Sequence, residues 1–176
     1  MQPAPNLGFL TVVQDNGGYL GGCLVTNGWG RPLEFRLTTT VQPNRIQQLL
    51  YAGTLKPYIC ADLIGKTLAE KVAVPVPLFL TDCEPLLDLR LHIDRPVAWL
   101  AAADDPLAHA LEQAGAGVRR TETGLLLCHP KHPGDADAIR AVLAKVDLAA
   151  DLAEPFVRIR EALGEARKMG ATSRAA

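Results

Sequence analysis

The chain has 176 residues, of which 48% are hydrophobic and 21% are charged, and its formal net charge is −1. This length suits a single domain with a sizeable core, so folding needs neither disulfides nor a structural metal. The composition excludes an intrinsically disordered chain, and the balanced charge lacks the basic excess that is common in nucleic-acid-binding proteins. We therefore predict that nucleic acid is an unlikely partner.

The sequence predicts a cytosolic protein without membrane contact. Residues 1–16 lack the basic and long apolar regions of a secretion signal. No apolar run approaches the roughly 20 residues of a membrane span. Four irregularly spaced cysteines without a C-x-x-C pair indicate free thiols in a reducing compartment. They are Cys23, Cys60, Cys83 and Cys128.

The first half of the chain predicts an antiparallel meander followed by helices. Runs rich in β-forming residues, separated by Gly- and Asn-rich turns, predict strands at 9–14, 19–27 and 33–39. Apolar residues then recur at helical spacing in 43–53 and again in 58–72. Residues 1–7 have no periodicity and are expected to form a flexible arm.

The stretch 73–102 contains the densest apolar run and predicts a second meander, with strands at 78–80, 87–93 and 97–101. In the middle strand, apolar and polar residues alternate, which places all the apolar side chains on one face. The apolar positions are Leu87, Leu89, Leu91 and Ile93. We expect this strand to pair antiparallel with the strand before it.

The last part of the chain predicts a βαβ unit, a hairpin and two further helices. The βαβ unit consists of strand 97–102, a helix from Pro106 and strand 118–121, and the hairpin adds strand 125–128. Helices are predicted at 135–149 and 154–168, before a disordered tail at 170–176. The fold class is α+β: one domain at 8–169, with a possible sub-boundary near 116–118. Its mixed, largely antiparallel sheet of two three-stranded meanders is covered by helices.

Acidic residues near predicted strand ends are the candidate catalytic group. They are Asp15, Asp82, Glu84 and Asp88. Clustered oxygen ligands suit a hard cation such as Mg²⁺, which can orient a phosphate. Asp and Glu are also ordinary turn residues, and Asp88 is expected on the solvent side of its strand. Magnesium is therefore the alternative to a protein without a cofactor.

The element order β-β-β-α-β resembles the first half of the ribonuclease H-like fold over about 8–82. Asp15 follows the first strand, Asn44–Gln48 opens the helix, and LFLTD ends the next strand. Nucleases of this family place a carboxylate in the first helix, where this chain has Gln47 and Gln48, and follow the next strand with a helix. The resemblance implies a ribonuclease H-like α/β fold and a magnesium-dependent nuclease or phosphodiesterase, possibly degenerate.

Two further groups are candidates for metal or nucleophilic chemistry. Cys128, His129 and His132 have ligand types that zinc accepts, although C-H-x-x-H is not a standard zinc spacing. Among the thiols, Cys83 lies in an acidic turn, where neighbouring charge disfavours the thiolate. Buried structural cysteines and surface histidines are the ordinary explanation for both groups.

Ligand and partner contacts are predicted at two places. Gly21 and Gly22 remove side chains from a strand and could leave a small-molecule pocket, with Trp29 and Arg31 as stacking and charged groups nearby. The amphipathic helix 154–168 presents an apolar stripe that could dock a protein partner or a second copy of the chain. Its central residues are Phe156, Ile159 and Leu163.

No constellation in the sequence combines a nucleophile, a base and an orienting group. The main prediction is therefore a non-catalytic cytosolic module for protein interaction or assembly, acting through its C-terminal helix or as a homo-oligomer. The magnesium-dependent nuclease or phosphodiesterase is the first alternative, and a small-molecule sensor is the second. Enzymatic activity is left open.

Overall fold

The computed structural model describes residues 3–147 and 150–172. Parts of the predicted arm (1–2), of helix 135–149 (148–149) and of the C-terminal tail (173–176) lie outside the described residues. The described part of the tail is packed, because Thr172 is buried and its carbonyl accepts a 3.0 Å hydrogen bond from the Thr40 N–H. At the other end, Leu7 is already part of the first strand.

Seven strands form one mixed sheet in the order β3-β2-β1-β4-β5-β7-β6. The strands are β1 Leu7–Asp15, β2 Gly18–Thr26, β3 Pro32–Leu37, β4 Phe79–Thr81, β5 Val97–Ala102, β6 Gly117–Arg120 and β7 Gly124–Cys128. The three central strands β1, β4 and β5 are parallel, and the other neighbours pair antiparallel. The predicted α+β class and mixed sheet are confirmed.

Besides the 3₁₀ segments Ala52–Thr54 and Glu84–Leu91, five helices accompany the sheet in the described part of the chain. They are α1 Arg45–Tyr51; α2, made of α-helical Leu55–Pro57, π-helical Tyr58–Gly65 and α-helical Lys66–Lys71; α3 Pro106–Leu111, continued by π-helical Glu112–Ala116; α4 Asp135–Leu143; and α5 Glu154–Lys168. None of the helices in the described residues is long and apolar enough to cross a membrane.

The predicted strand at 87–93 is wrong, because Glu84–Leu91 forms a 3₁₀ helix. Pro85 occupies its first turn, where a missing N–H costs nothing. Leu86 and Leu89 are three residues apart, so they share a face of a 3₁₀ helix, and both are buried. Leu91, which alternation assigned to the core, is 45% exposed. The second meander therefore does not exist.

The parallel pairing of β4 and β5 explains why a helix is found there. Parallel neighbours need a crossover that returns along the face of the sheet, whereas a hairpin joins only antiparallel strands. Glu84–Leu91, called the 3₁₀ crossover below, supplies this return. A helix after β4 is also what the ribonuclease H-like alternative requires.

The predicted βαβ unit has the right strand directions but the wrong neighbours. Both β5 and β6 pair antiparallel with β7, so they run parallel to each other with β7 between them. The hairpin partner β7 thus takes the inner position, and β6 forms the edge of the sheet.

Both faces of the sheet are covered by helices. On one face α2 and the 3₁₀ crossover pack on β1, β2 and β4, and on the other α4 and α5 cover the same sheet. A Cβ atom at Gly21 would lie 2.1 Å from Ile64 of α2, and one at Gly22 would lie 2.6 Å from Ile159 of α5. The two glycines let a helix approach each face of β2, so the predicted small-molecule gap is filled by the protein itself.

Candidate functional site

Asp82 lies at the carboxyl edge of the parallel strands, where open sheets of this kind bind ligands. It follows β4 directly, and because Leu10 pairs with Thr81, Thr11 of β1 is its neighbour. The Thr11 hydroxyl donates a 2.7 Å hydrogen bond to Asp82 Oδ1, and the Arg160 guanidinium of α5 donates to Oδ2. Both carboxylate oxygens are therefore held by donors of the protein.

Asp15 is not close to Asp82. It lies at the end of β1, four residues beyond Thr11, which corresponds to roughly 13 Å along an extended strand. There it forms its own ion pair with Arg167 of α5, at 2.9 Å. Each of these carboxylates is thus neutralised by a separate arginine on the same helix.

Glu84 and Asp88 belong to the 3₁₀ crossover. Burial raises the pKa of Glu84, and the Asp88 carboxylate raises it further, while Lys56 opposes the shift. Asp88 is engaged with His129, whose Nε2 lies 3.0 Å from Oδ1. The protein therefore does not gather its four candidate acidic residues around one point.

The acidic residues present do not fit a magnesium centre of the nuclease kind. Such a centre uses carboxylates that hold cations about 4 Å apart, but the position on β1 beside Asp82 is Thr11, and α1 carries Gln47 and Gln48 in place of an acid. Within residues 3–147 and 150–172, no three Asp, Glu, His or Cys side chains are arranged to hold a metal ion.

The zinc candidates also point to separate partners. The Cys128 thiol is buried in β7 and donates to the Ala116 carbonyl at 3.4 Å. The buried His129 ring faces Asp88, and its Nδ1 accepts from the Lys131 N–H. His132 contacts His129 edge-on, with 5.9 Å between ring centroids. Structural roles account for these contacts.

Two cysteines meet directly beneath the carboxyl edge. A hydrogen bond from Cys60 of α2 lowers the pKa of the Cys83 thiol, against the opposing effects of burial and of Asp82. The same contact raises the pKa of Cys60. Asp82 raises the pKa of Cys83, as we expected from the acidic turn, but the hydrogen bond from Cys60 is the larger cause and gives the net lowering.

Trp29 and Arg31 lie in the turn between β2 and β3, away from Asp82. Trp29 is 81% exposed and lines a cavity of about 410 Å³ together with Arg158, which donates a 2.9 Å hydrogen bond to the Gly30 carbonyl. Arg31 is exposed, and its backbone N–H donates to the Asn27 side chain. Neither residue approaches Gly21 or Gly22 in the strand interior.

The predicted interface residues of α5 face inward. Phe156 packs edge-on against Phe9, with ring centroids 5.5 Å apart, and both Ile159 and Leu163 lie against Gly22. All three are at most 1% exposed. The apolar stripe of this helix is buried against the protein's own sheet, so these three side chains offer no surface to a partner.

The two edge carboxylates are surrounded by groups that we did not predict from the sequence: Thr11, Arg160 and Arg167. A signal for the arginines was present, since seven residues separate them and a helix places such positions on one face. Thr11 was a polar residue at a buried position of an apolar strand, which indicates a specific hydrogen-bond partner.

No protein-family model matches the chain, and no curated protein matches it. Among solved structures, it is similar to Endonuclease V of Ciona intestinalis in complex with an inosine-containing 24-nucleotide DNA. The TM-score is 0.49 and the identity 11%, over 92% of this chain and 86% of that one. A substituted form of that enzyme with a 23-nucleotide DNA gives 0.40 and 11%, over 68% and 62%.

Endonuclease V of Bacillus subtilis gives a TM-score of 0.35 and 12% identity, over 55% of this chain and 44% of that one. The match thus spans less than two thirds of the length of two of these three structures. All three are nucleases, and two hold DNA. They overturn our prediction of a non-catalytic, homo-oligomeric protein-binding module for which nucleic acid is unlikely.

Proposed function

We propose that this chain is a nucleic-acid-binding protein of the nuclease-like type, which binds the phosphate backbone at the carboxyl edge of β1 and β4. In this proposal Asp82 is the one carboxylate left in the acidic centre. The observation that carries it is the Asp82–Arg160 pair: a guanidinium that can bind phosphate at two points stands, 47% exposed, at the ligand-binding edge of a parallel sheet.

A second arginine extends this surface along the same helix. Arg167 lies two turns of α5 beyond Arg160 and is paired with Asp15. A bound phosphate can exchange with either carboxylate, because both arginines are partly exposed and such pairs are weak when water reaches them. The spacing of the two cations is about 10 Å along the helix axis, so both can contact phosphates of one strand without binding the same phosphate.

The test is the affinity for a fluorescently labelled single-stranded DNA, measured by anisotropy at low salt. We expect Asp82→Asn to tighten binding about threefold, because it removes a negative charge and leaves Arg160 free for a phosphate. Arg160→Gln should weaken binding by a similar factor. Arg119→Gln is the matched control, since Arg119 is an exposed arginine on the distant edge strand β6.

Two outcomes would contradict the proposal. The first is a wild-type protein that binds no single-stranded DNA at about 50 mM salt, where phosphate contacts are strongest. The second is strand cleavage that requires added Mg²⁺ and is lost in Asp82→Asn, since it would show that Asp82 serves a metal centre. Affinity that does not rise when Mg²⁺ replaces a chelator is the expected result, because Mg²⁺ competes with the arginines for phosphates.

A cytosolic location belongs to the same proposal. All four cysteines are free, and three of them are buried. Free buried thiols are typical of proteins in a reducing compartment.

A further inference from the structure

A long groove lies between the segment that follows β3 and the helices α1 and α2. Its volume is about 1120 Å³. The strand wall is fixed by backbone hydrogen bonds, since the Thr38 N–H donates to Gly21 and Val41 pairs with Tyr19. Thr172 closes one side through its bond from Thr40. Hydrogen-bonded backbone therefore forms the strand wall of the groove and closes one of its sides.

The lining of the groove is rich in hydrogen-bond donors and contains no acidic residue. This is notable in a chain with 19 acidic and 18 basic side chains. The polar lining residues are Arg36, Thr38, Thr39, Thr40, Gln42, Asn44, Gln47, Thr67, Lys71 and Thr172. A surface with donors and cations but no carboxylate selects for an anionic ligand.

Several of these donors have no partner among the described residues. The Asn44 and Gln47 side chains accept each other's backbone N–H through their oxygens, which fixes the amide groups and leaves both NH₂ groups without a partner in the described chain. Lys71 forms no ion pair with any described residue. Arg36 uses only its Nε, which binds Glu34 at 2.7 Å.

The floor of the groove is apolar and consists of Leu63, Ile64 and Leu68 of α2. Donors at the rim and an apolar floor match a ligand that has both phosphates and flat, weakly polar rings. The volume exceeds the roughly 300–1,000 Å³ typical of small-ligand pockets, which favours a segment of a polymer over a single small molecule.

We propose that this groove binds a segment of single-stranded nucleic acid through its phosphates. The inference rests on the proposed function and extends it to a second contact surface. The two surfaces lie at the same end of the sheet: Gln42 of the groove donates a 3.2 Å hydrogen bond to the Asn16 carbonyl, and the next residue back, Asp15, pairs with Arg167. One strand can therefore contact both.

Lys71→Gln tests the groove in the full chain, with Lys145→Gln as the matched control. Both lysines are exposed, but Lys145 follows α4 on the opposite face of the sheet. We expect Lys71→Gln to weaken binding of a labelled 20-nucleotide single strand about threefold and to lower the slope of log Kd against log salt by about one. Lys145→Gln should leave both quantities unchanged.

A second arm uses adenosine monophosphate as competitor, which separates a polymer site from a mononucleotide site. We expect millimolar mononucleotide to displace little of the bound 20-mer. Complete displacement, or an identical salt slope for Lys71→Gln and wild type, would overturn the inference. If Lys71→Gln binds the 20-mer like the wild type while Asp82→Asn still changes the affinity, only the groove is rejected as a binding surface. The proposed site at Asp82 and Arg160 is then retained.

Discussion

The neighbours of Asp82 decide which ligand this carboxylate can serve. In a metal centre, the oxygens of Asp82 would bind a cation together with other carboxylates. Here they accept hydrogen bonds from a threonine hydroxyl and a guanidinium instead. The threonine hydroxyl carries no charge, and the guanidinium supplies a positive charge that balances the carboxylate. This local charge balance suits a phosphate better than a cation.

At the residue scale, Cys83 should be the thiol that reacts first with iodoacetamide. It is only partly buried and its pKa is lowered by the hydrogen bond from Cys60, whereas burial raises the pKa of Cys23 to about 12 and also raises that of Cys128. The thiolate is the reactive form. Peptide mass spectrometry after brief alkylation at about pH 7.5 reports the order of modification.

The Cys60→Ala variant separates the hydrogen bond from simple exposure. A methyl group cannot donate to sulfur, so the Cys83 thiol should lose the bond that lowers its pKa and should react more slowly. An equal rate in the variant would assign the reactivity to exposure alone. Faster alkylation of buried Cys23 than of Cys83 would contradict the prediction outright.

At the element scale, the 3₁₀ crossover joins two neighbouring parallel strands and carries Glu84 and Asp88. Its stability comes from leucines that enter the core beside α2. Leu89→Ala should lower the free energy of unfolding by about 2–5 kcal/mol, because Leu89 is fully buried. Leu91→Ala is the control and should cost less than about 1 kcal/mol, since Leu91 is 45% exposed. Urea unfolding measures both.

A larger loss of stability in Leu91→Ala than in Leu89→Ala would contradict the 3₁₀ helix and support the strand that the sequence predicts. Alternation of Leu87, Leu89 and Leu91 fits a half-buried strand, yet Leu86 and Leu89 fit a 3₁₀ face equally well. Short apolar patterns leave this ambiguity open. What resolves it is the pairing of β4 with β5, a contact between residues about 18 positions apart that local periodicity cannot contain.

Elements with strong local signals were predictable, because each of these signals lies within one short stretch of the chain. The Asp15–Gly18 reversal fixed the first hairpin, and α5 covers the predicted range 154–168. The site was less predictable, because Thr11, Asp82 and Arg160 come from three separate parts of the chain. Their meeting depends on which strands pair and on which face α5 packs, and neither is a local property.

At the scale of the whole molecule, a central sheet is buried on both faces, and its charged residues are confined to edges and helix surfaces. Two glutamates at such borders have opposite effects on stability. Glu34 accepts hydrogen bonds from the Val74 and Ala73 N–H groups and from Arg36, and the Val74 bond is the main cause of its lowered pKa. Burial raises the pKa of Glu84.

The two pKa shifts have opposite effects on the free energy of unfolding at neutral pH. A lowered pKa means that ionised Glu34 stabilises the fold above about pH 4.5, and that this contribution is lost as the pH falls through the folded-state pKa. Ionised Glu84 destabilises the fold in the neutral range, and its penalty disappears in acid, where the carboxyl is protonated in both states. Both effects therefore contribute to the change in the free energy of unfolding as the pH falls from neutral to acidic.

Glu34→Gln should therefore destabilise the protein at pH 7 by about 1 kcal/mol, the usual size of a hydrogen-bond contribution. Glu84→Gln should stabilise it at the same pH, and both differences should shrink towards zero near pH 3. Urea midpoints at the two pH values provide the measurement. A Glu34→Gln effect that persists unchanged at pH 3 would mean that the side chain acts by shape and not by charge. A destabilising Glu84→Gln at pH 7 would mean that its ionised carboxylate has a favourable partner, with Lys56 as the nearest cation to examine.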